Sequence, residues 1–178
     1  GDIILFCPAG DRCPAQLVAQ IQHFASRKAM NIDGLGVRII ELLVSRRLLS
    51  NVTDLYRLSA EQLAGLPRLG VKSANNLLRA IEQSKHRSWP QVLYALGVKE
   101  VGIATANTLA SAYPSWRQLS EATEDNLMAL HDVGPSVAVS VRTFFSDTVN
   151  QFRLQPLHDF GLTMTTRVVQ SDQPSPLE

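Results

Sequence analysis

Only two of the 178 residues are cysteines, so no disulfide framework can form, which fits a reducing compartment. Long apolar runs are missing as well. The stretch at residues 3–7 is among the longest and falls far short of the ~20 residues of a spanning helix, so no membrane segment is expected. No basic stretch followed by an apolar one marks a secretory signal. Aromatics make up 6%, and neither sign of charge is in excess: 17 Lys/Arg against 16 Asp/Glu leave a net charge of +1, which excludes a polycation. Sustained alternation of apolar and polar residues, the mark of a half-buried strand, is absent. The chain opens on Gly1 and not on Met, and the expectation is a piece of something longer.

What is present is 45% apolar content, enough for one or two domains, and an uneven charge. Residues 1–100 hold 13 Lys/Arg and 8 Asp/Glu, whereas residues 101–178 hold 4 and 8. A polyanion would be met mainly by the first half, although a charge patch by itself reads better as a solvated helix face.

A five-residue pattern recurs: apolar, two variable residues, apolar, glycine. It reads Ile32-Asp33-Gly34-Leu35-Gly36, Leu66-Pro67-Arg68-Leu69-Gly70, Val98-Lys99-Glu100-Val101-Gly102 and Leu130-His131-Asp132-Val133-Gly134. The closing glycines are 34, 32 and 32 residues apart. Four copies in register indicate a repeat architecture. Each copy is followed by a helical apolar stripe: Ile39, Ile40, Leu43 and Val44; Ala74, Leu77, Leu78 and Ile81; Ala106, Leu109, Ala110 and Tyr113; Val137, Val141, Phe144 and Phe145. Pro135, directly after Gly134, suits a first helical position. The preceding segments start like helices, with capping boxes at Ser59–Gln62, Ser88–Gln91 and Ser115–Gln118, and Thr123 as a further cap. A helix is also expected over residues 16–30. The predicted fold is all-α: four helix-hairpin-helix repeats in two double units. Trp89, Trp116 and Tyr113 at helical spacing read as core and not as stacking platforms, and Met30, Met128 and Met164 as filler.

A closing glycine permits a positive φ and a close backbone approach. The helix beginning right after it has first-turn N–H groups without intrahelical partners, and the positive end of its macrodipole lies there too. Together these make a main-chain anion site that grips the sugar-phosphate backbone without reading bases. The candidate DNA-binding residues are Gly34, Gly36, Arg38, Arg68, Gly70, Lys72, Ser73, Gly102, Thr105, Gly134 and Ser136. Glu100 and Asp132 oppose a phosphate, so hairpins 1 and 2 are expected to bind most strongly. The competing reading of a single Gly-closed turn is simple helix packing; repetition at a fixed period argues against it.

Cys7 and Cys13 form a C-x5-C element, half of a tetrahedral structural zinc site. Two thiolates alone do not make tight zinc. His23 lies on the expected helix and reads as a packing or surface residue. No Ser, His or Cys spacing suggests a nucleophile and its base, so no catalytic residue is assigned.

The run from Cys7 and Cys13-Pro14-Ala15-Gln16 to His23-Phe24-Ala25-Ser26-Arg27-Lys28-Ala29-Met30-Asn31-Ile32-Asp33-Gly34-Leu35-Gly36 resembles the zinc finger and first hairpin of bacterial NAD-dependent DNA ligases. Leu93-Tyr94-Ala95-Leu96-Gly97-Val98-Lys99-Glu100-Val101-Gly102 is similar to that family's third hairpin and Asp132-Val133-Gly134 to its fourth. The likeness covers roughly residues 5–161. It implies a C-terminal fragment without the adenylation, OB and BRCT domains: half of a four-cysteine zinc finger at residues 1–22, a helix-hairpin-helix DNA-binding domain at 23–160, and a flexible linker at 161–178 leading to the BRCT domain. The implied parent enzyme seals nicks in DNA replication and repair, using NAD and Mg²⁺ that this segment does not bind, in the bacterial cytoplasm near the nucleoid. The segment lacks the adenylation lysine and is not expected to act alone. Its implied partners are nicked duplex DNA and the other domains of the same ligase chain; its implied metal is Zn²⁺ at Cys7 and Cys13. Arg68 departs from the glycine preferred at its hairpin position. Two rival readings are a tandem-hairpin module of another DNA repair protein, against which the cysteine element speaks, and a protein-interaction module whose hairpins no longer touch DNA.

Overall fold

The structure, a computed structural model, describes residues 14–67 and 69–166. Those residues form ten α-helices and one 3₁₀ turn, arranged in two compact units that divide between Lys85 and His86.

Unit 1 runs through α1 (Pro14–Ala25), α2 (Val37–Ser45), the 3₁₀ turn Val52–Arg57, α3 (Ala60–Ala64) and α4 (Val71–Ser84). Helix α1 packs on α2 and α3 on α4, while the 3₁₀ turn closes against α1 and α4. Leu17, Ile21 and Phe24 from α1, Ile40 and Leu43 from α2, and Leu77 and Ile81 from α4 are buried, so the apolar stripes face one another as their spacing requires.

Helix α1 stops at Ala25, five residues before the expected end. Ser26 Oγ donates to the His23 carbonyl, and the N–H groups of Met30 and Ile32 donate to Phe24 and Ala25, folding the chain back through Asn31 at φ 53. Continuing the helix would carry Ala29 and Met30 away from the core; the reversal leaves both fully buried. Residues 14–22, expected in a zinc-finger half, are helix α1, whose Leu17 and Ile21 belong to the unit 1 core. Helix α2 ends on Arg47 at φ 62, with N–H bonds from Arg47 to Val44 and from Leu48 to Leu43, a Schellman closure without its usual glycine.

Unit 2 comprises α5 (Trp89–Ala95), α6 (Ile103–Ala112), α7 (Trp116–Glu121), α8 (Glu124–Met128), α9 (Pro135–Ser146) and α10 (Thr148–Asp159). Here α5 packs on α6 and α8 on α9, and α9 also meets α7 and α10. Trp89 and Trp116 are buried, as expected of core residues, and the Trp89 indole donates to the Tyr113 carbonyl at 3.0 Å. Gly161 (φ 98) closes α10 in a Schellman motif, with Leu162 N–H on the Leu157 carbonyl and both leucines buried.

The start of the expected flexible linker is packed instead. Leu162 and Met164 are buried, Trp116 N–H donates to the Met164 carbonyl at 3.1 Å, and Ser115 pairs with Thr165 in an isolated bridge. The buried Leu162 and Met164 hold residues 162–166 to unit 2. The remainder of that linker, from residue 167, lies outside the described residues, as do Cys7 and Cys13. Among the described residues no helix is long and apolar enough to cross a membrane, and no group of three or more His, Cys, Asp or Glu is placed to hold a metal ion.

Candidate nucleic-acid interface

All four pentapeptides close with the same backbone hydrogen bond. The N–H of the fourth residue donates to the carbonyl of the first: Leu35 to Ile32 (3.4 Å), Leu69 to Leu66 (3.3 Å), Val101 to Val98 (3.1 Å) and Val133 to Leu130 (3.3 Å). The fourth residue is buried in every copy, and the first in all but Leu130, which is partly exposed. The apolar pair therefore anchors the turn to its core, and the variable residues Asp33, Gly34, Pro67, Lys99, Glu100, His131 and Asp132 are exposed.

The left-handed residue is the third, not the closing glycine. Gly34, Glu100 and Asp132 have φ of 90, 66 and 69, as a turn with positive φ only at its third position requires. Gly36, Gly70, Gly102 and Gly134 instead have φ between −81 and −93 with extended ψ. They are helix N-caps, so the expectation that these glycines serve a positive φ is corrected. Each is exposed, and a Cβ built on any of the four meets nothing within 4 Å. The space before each helix start is open to an external group.

These N-caps contrast with those of four other helices. Ser59, Ser115, Thr123 and Asp147 accept first-turn N–H bonds through their side chains at α3, α7, α8 and α10. At α2, α4, α6 and α9 the N-cap has no side chain, and no capping bond is made. The glycine carbonyl accepts only the first helical bond, from Ile40, Ala74, Ala106 and Ala138 respectively. The N–H groups ahead of those residues therefore keep no intrahelical partner, and the positive end of each helix faces the open space.

Side chains differ among the four. The second helical residue is Arg38 in α2, Lys72 in α4, Ala104 in α6 and Ser136 in α9, all exposed. Ser73, on the third position of α4, is exposed, and Thr105, its counterpart in α6, is half-buried. The units diverge in charge accordingly: unit 1 has eleven Lys/Arg against seven Asp/Glu, and unit 2 six against nine.

Within unit 1 the hairpins come together. Gly34 and Ser73 line one groove of about 560 Å³ with Asn76 and Arg79, and Arg38 shares a second hollow with Pro67. Arg79 and Asn76 were not expected there. Arg79 follows Lys72 by seven residues, which puts both on one side of α4, and that spacing was the available signal. Also missed were Val37, Val71 and Ile103, exposed aliphatics at the first helical position after a closing glycine. Arg68, like the two cysteines, lies outside the described residues.

Comparison with known proteins agrees with this geometry. Residues 26–83 match the SAM-like helix-hairpin-helix tandem and residues 91–154 the helix-hairpin-helix motif, one match in each unit. The chain is 47% identical over 164 residues to the DNA ligase of Chlorobaculum tepidum, 92% of this chain and 24% of that protein. It is 44% identical over 177 residues to the DNA ligase of Hahella chejuensis, 99% of this chain and 26% of that protein. Identity to the DNA ligase of Methylococcus capsulatus is 48% over 163 residues, 92% of this chain and 24% of that protein. The chain thus spans about a quarter of the length of these curated relatives. With its four hairpins and these relatives, the chain belongs to the bacterial DNA ligase family, as a helix-hairpin-helix segment of it.

Proposed function

We propose that this chain is a duplex-DNA clamp without sequence preference, and that its parent enzyme joins nicked strands in replication and repair. One observation carries the reading: the four helices that follow hairpins begin on bare, exposed glycines, while side chains cap α3, α7, α8 and α10. Uncapped N–H groups at successive helix starts suit phosphates spaced along a strand. The contacts would come from the first-turn amides beyond Gly36, Gly70, Gly102 and Gly134, with Arg38, Arg68, Lys72, Ser73, Thr105 and Ser136 as side-chain partners. Hairpins 1 and 2 would dominate, because the cationic Arg38 and Lys72 stand in unit 1.

The chemistry of sealing belongs to the remaining three-quarters of the relatives' length, including any use of NAD and Mg²⁺. Cys7 and Cys13 would supply two thiolates of a four-thiolate structural zinc site completed upstream, with a folding role only. A DNA partner fits a cytoplasmic location beside the nucleoid.

The test is a titration of nicked duplexes of unrelated sequence at several salt concentrations. The expected result is one affinity for all sequences, with log affinity falling linearly with log salt. Binding that ignores salt, or no binding at all, overturns the reading.

A further inference from the structure

Hairpins 3 and 4 are joined by a side-chain bond without a counterpart among the described residues of unit 1. Ser136 Oγ donates to Glu100 Oε1 at 2.8 Å. Glu100 is the third residue of hairpin 3, and Ser136 is the second residue of α9, just past the closing Gly134. By position in the repeat, the corresponding pair in unit 1 is Gly34 and Lys72. Where unit 2 has a carboxylate and a hydroxyl, unit 1 has no side chain and an ammonium, and the groove beside Gly34 stays open. At φ 66 Glu100 carries a steric penalty that Gly34 avoids in the same turn, so nothing in the backbone calls for a glutamate there.

The bond brings a full negative charge to the start of α9, where no N-cap side chain satisfies the first N–H groups and where a phosphate would sit. A phosphate held by those donors would lie beside the Glu100 carboxylate that Ser136 holds, and two neighbouring anions repel one another. Asp132, in the same position of hairpin 4, adds a second negative charge on that hairpin.

We propose that Glu100 is a built-in phosphate competitor: hairpin 4 engages DNA only when the Glu100 carboxylate is displaced from Ser136, and the clamp's grip is thereby weighted toward unit 1. The proposal rests on the DNA-binding reading above.

Glu100→Gln removes the charge while keeping an oxygen that can accept from Ser136. Glu100→Gly removes the side chain and relieves the positive φ, which guards against a folding artefact. Binding of the 178-residue chain and both variants to a nicked duplex is measured at several salt concentrations, with circular dichroism to verify helix content. Both variants are expected to bind about three- to tenfold more tightly and to steepen the salt dependence by up to about one phosphate contact. A Glu100→Gln variant that binds like the unaltered chain, with or without weakening in Glu100→Gly, overturns the proposal, because the bridge is then only a structural tie. An unaltered chain that fails to bind duplex overturns the DNA reading itself, which is a separate outcome.

Discussion

Tyr56 and Ser84 meet across unit 1, Oη to Oγ at 2.7 Å, tying the 3₁₀ turn to the last residue of α4. Ser84 donates its own proton to the Ile81 carbonyl, so the phenol is the donor. The Phe24 ring stands edge-on to Tyr56 at 6.3 Å and Lys85 Nζ lies 5.8 Å from its ring centre. Burial pushes the phenol pKa well up, and the Glu82 charge adds to the shift.

That shift has a sign in stability. The folded chain keeps the phenol proton above the ordinary titration point of about 10, whereas the unfolded chain releases it. The unfolded state then binds fewer protons, and unfolding free energy falls as pH rises past that point. Tyr56→Phe removes this alkaline sensitivity and costs about 0.5–1.5 kcal/mol at neutral pH, because Ser84 retains its Ile81 partner. Urea unfolding at pH 7 and pH 10.5 checks both expectations. An equal alkaline loss in the variant contradicts the burial argument.

Glycines at the hairpins should separate stability from binding. Gly34→Ala forces an alanine to φ 90 and should cost about 1–2 kcal/mol. Gly70→Ala meets open space at ordinary φ and should cost less than about 1 kcal/mol. Its methyl group nevertheless fills the approach to the helix start, so duplex affinity should fall about tenfold. Thermal melts beside anisotropy titrations read the two effects apart.

Charge reversal at the helix starts of unit 1 tests the electrostatic part. Arg38→Glu and Lys72→Glu are exposed changes expected to leave helix content intact. Each should weaken duplex binding and reduce the salt slope by about one to two. A slope identical to that of the unaltered chain would remove these side chains from the interface.

The boundary of unit 2 can be tested by shortening. A chain ending at Thr166 keeps Leu162, Met164 and the Trp116–Met164 bond and serves as the reference for a shorter one. A chain ending at Gly161 exposes the surface those two side chains cover and should lose about 3–6 kcal/mol. Equal melting temperatures would mean that residues 162–166 contribute nothing to the core.

Much of this molecule is legible without coordinates because its devices are local. A Ser or Thr cap with Gln or Asn three residues later, as at Ser59–Gln62 and Thr123–Asn126, is contained in four residues. An apolar pair three apart before glycine recurs often enough to be recognised. Misreadings arose where a local pattern had two explanations. The constant closing glycine drew the credit for positive φ, while the left-handed position is filled by Gly34, Glu100 and Asp132, whose variety hides their shared role. The early end of α1 depended on what lay opposite Met30.

The order of the chain by itself determined the all-α class, the four turns and the bare helix starts, since each follows from bonds between residues at most four apart. Tertiary structure alone decided that Glu100 reaches Ser136, thirty-six residues away, that Gly34 and Ser73 border one groove, and that Met164 is core. Contacts of that kind depend on how packed helices orient their neighbours, and short-range periodicity holds no record of it.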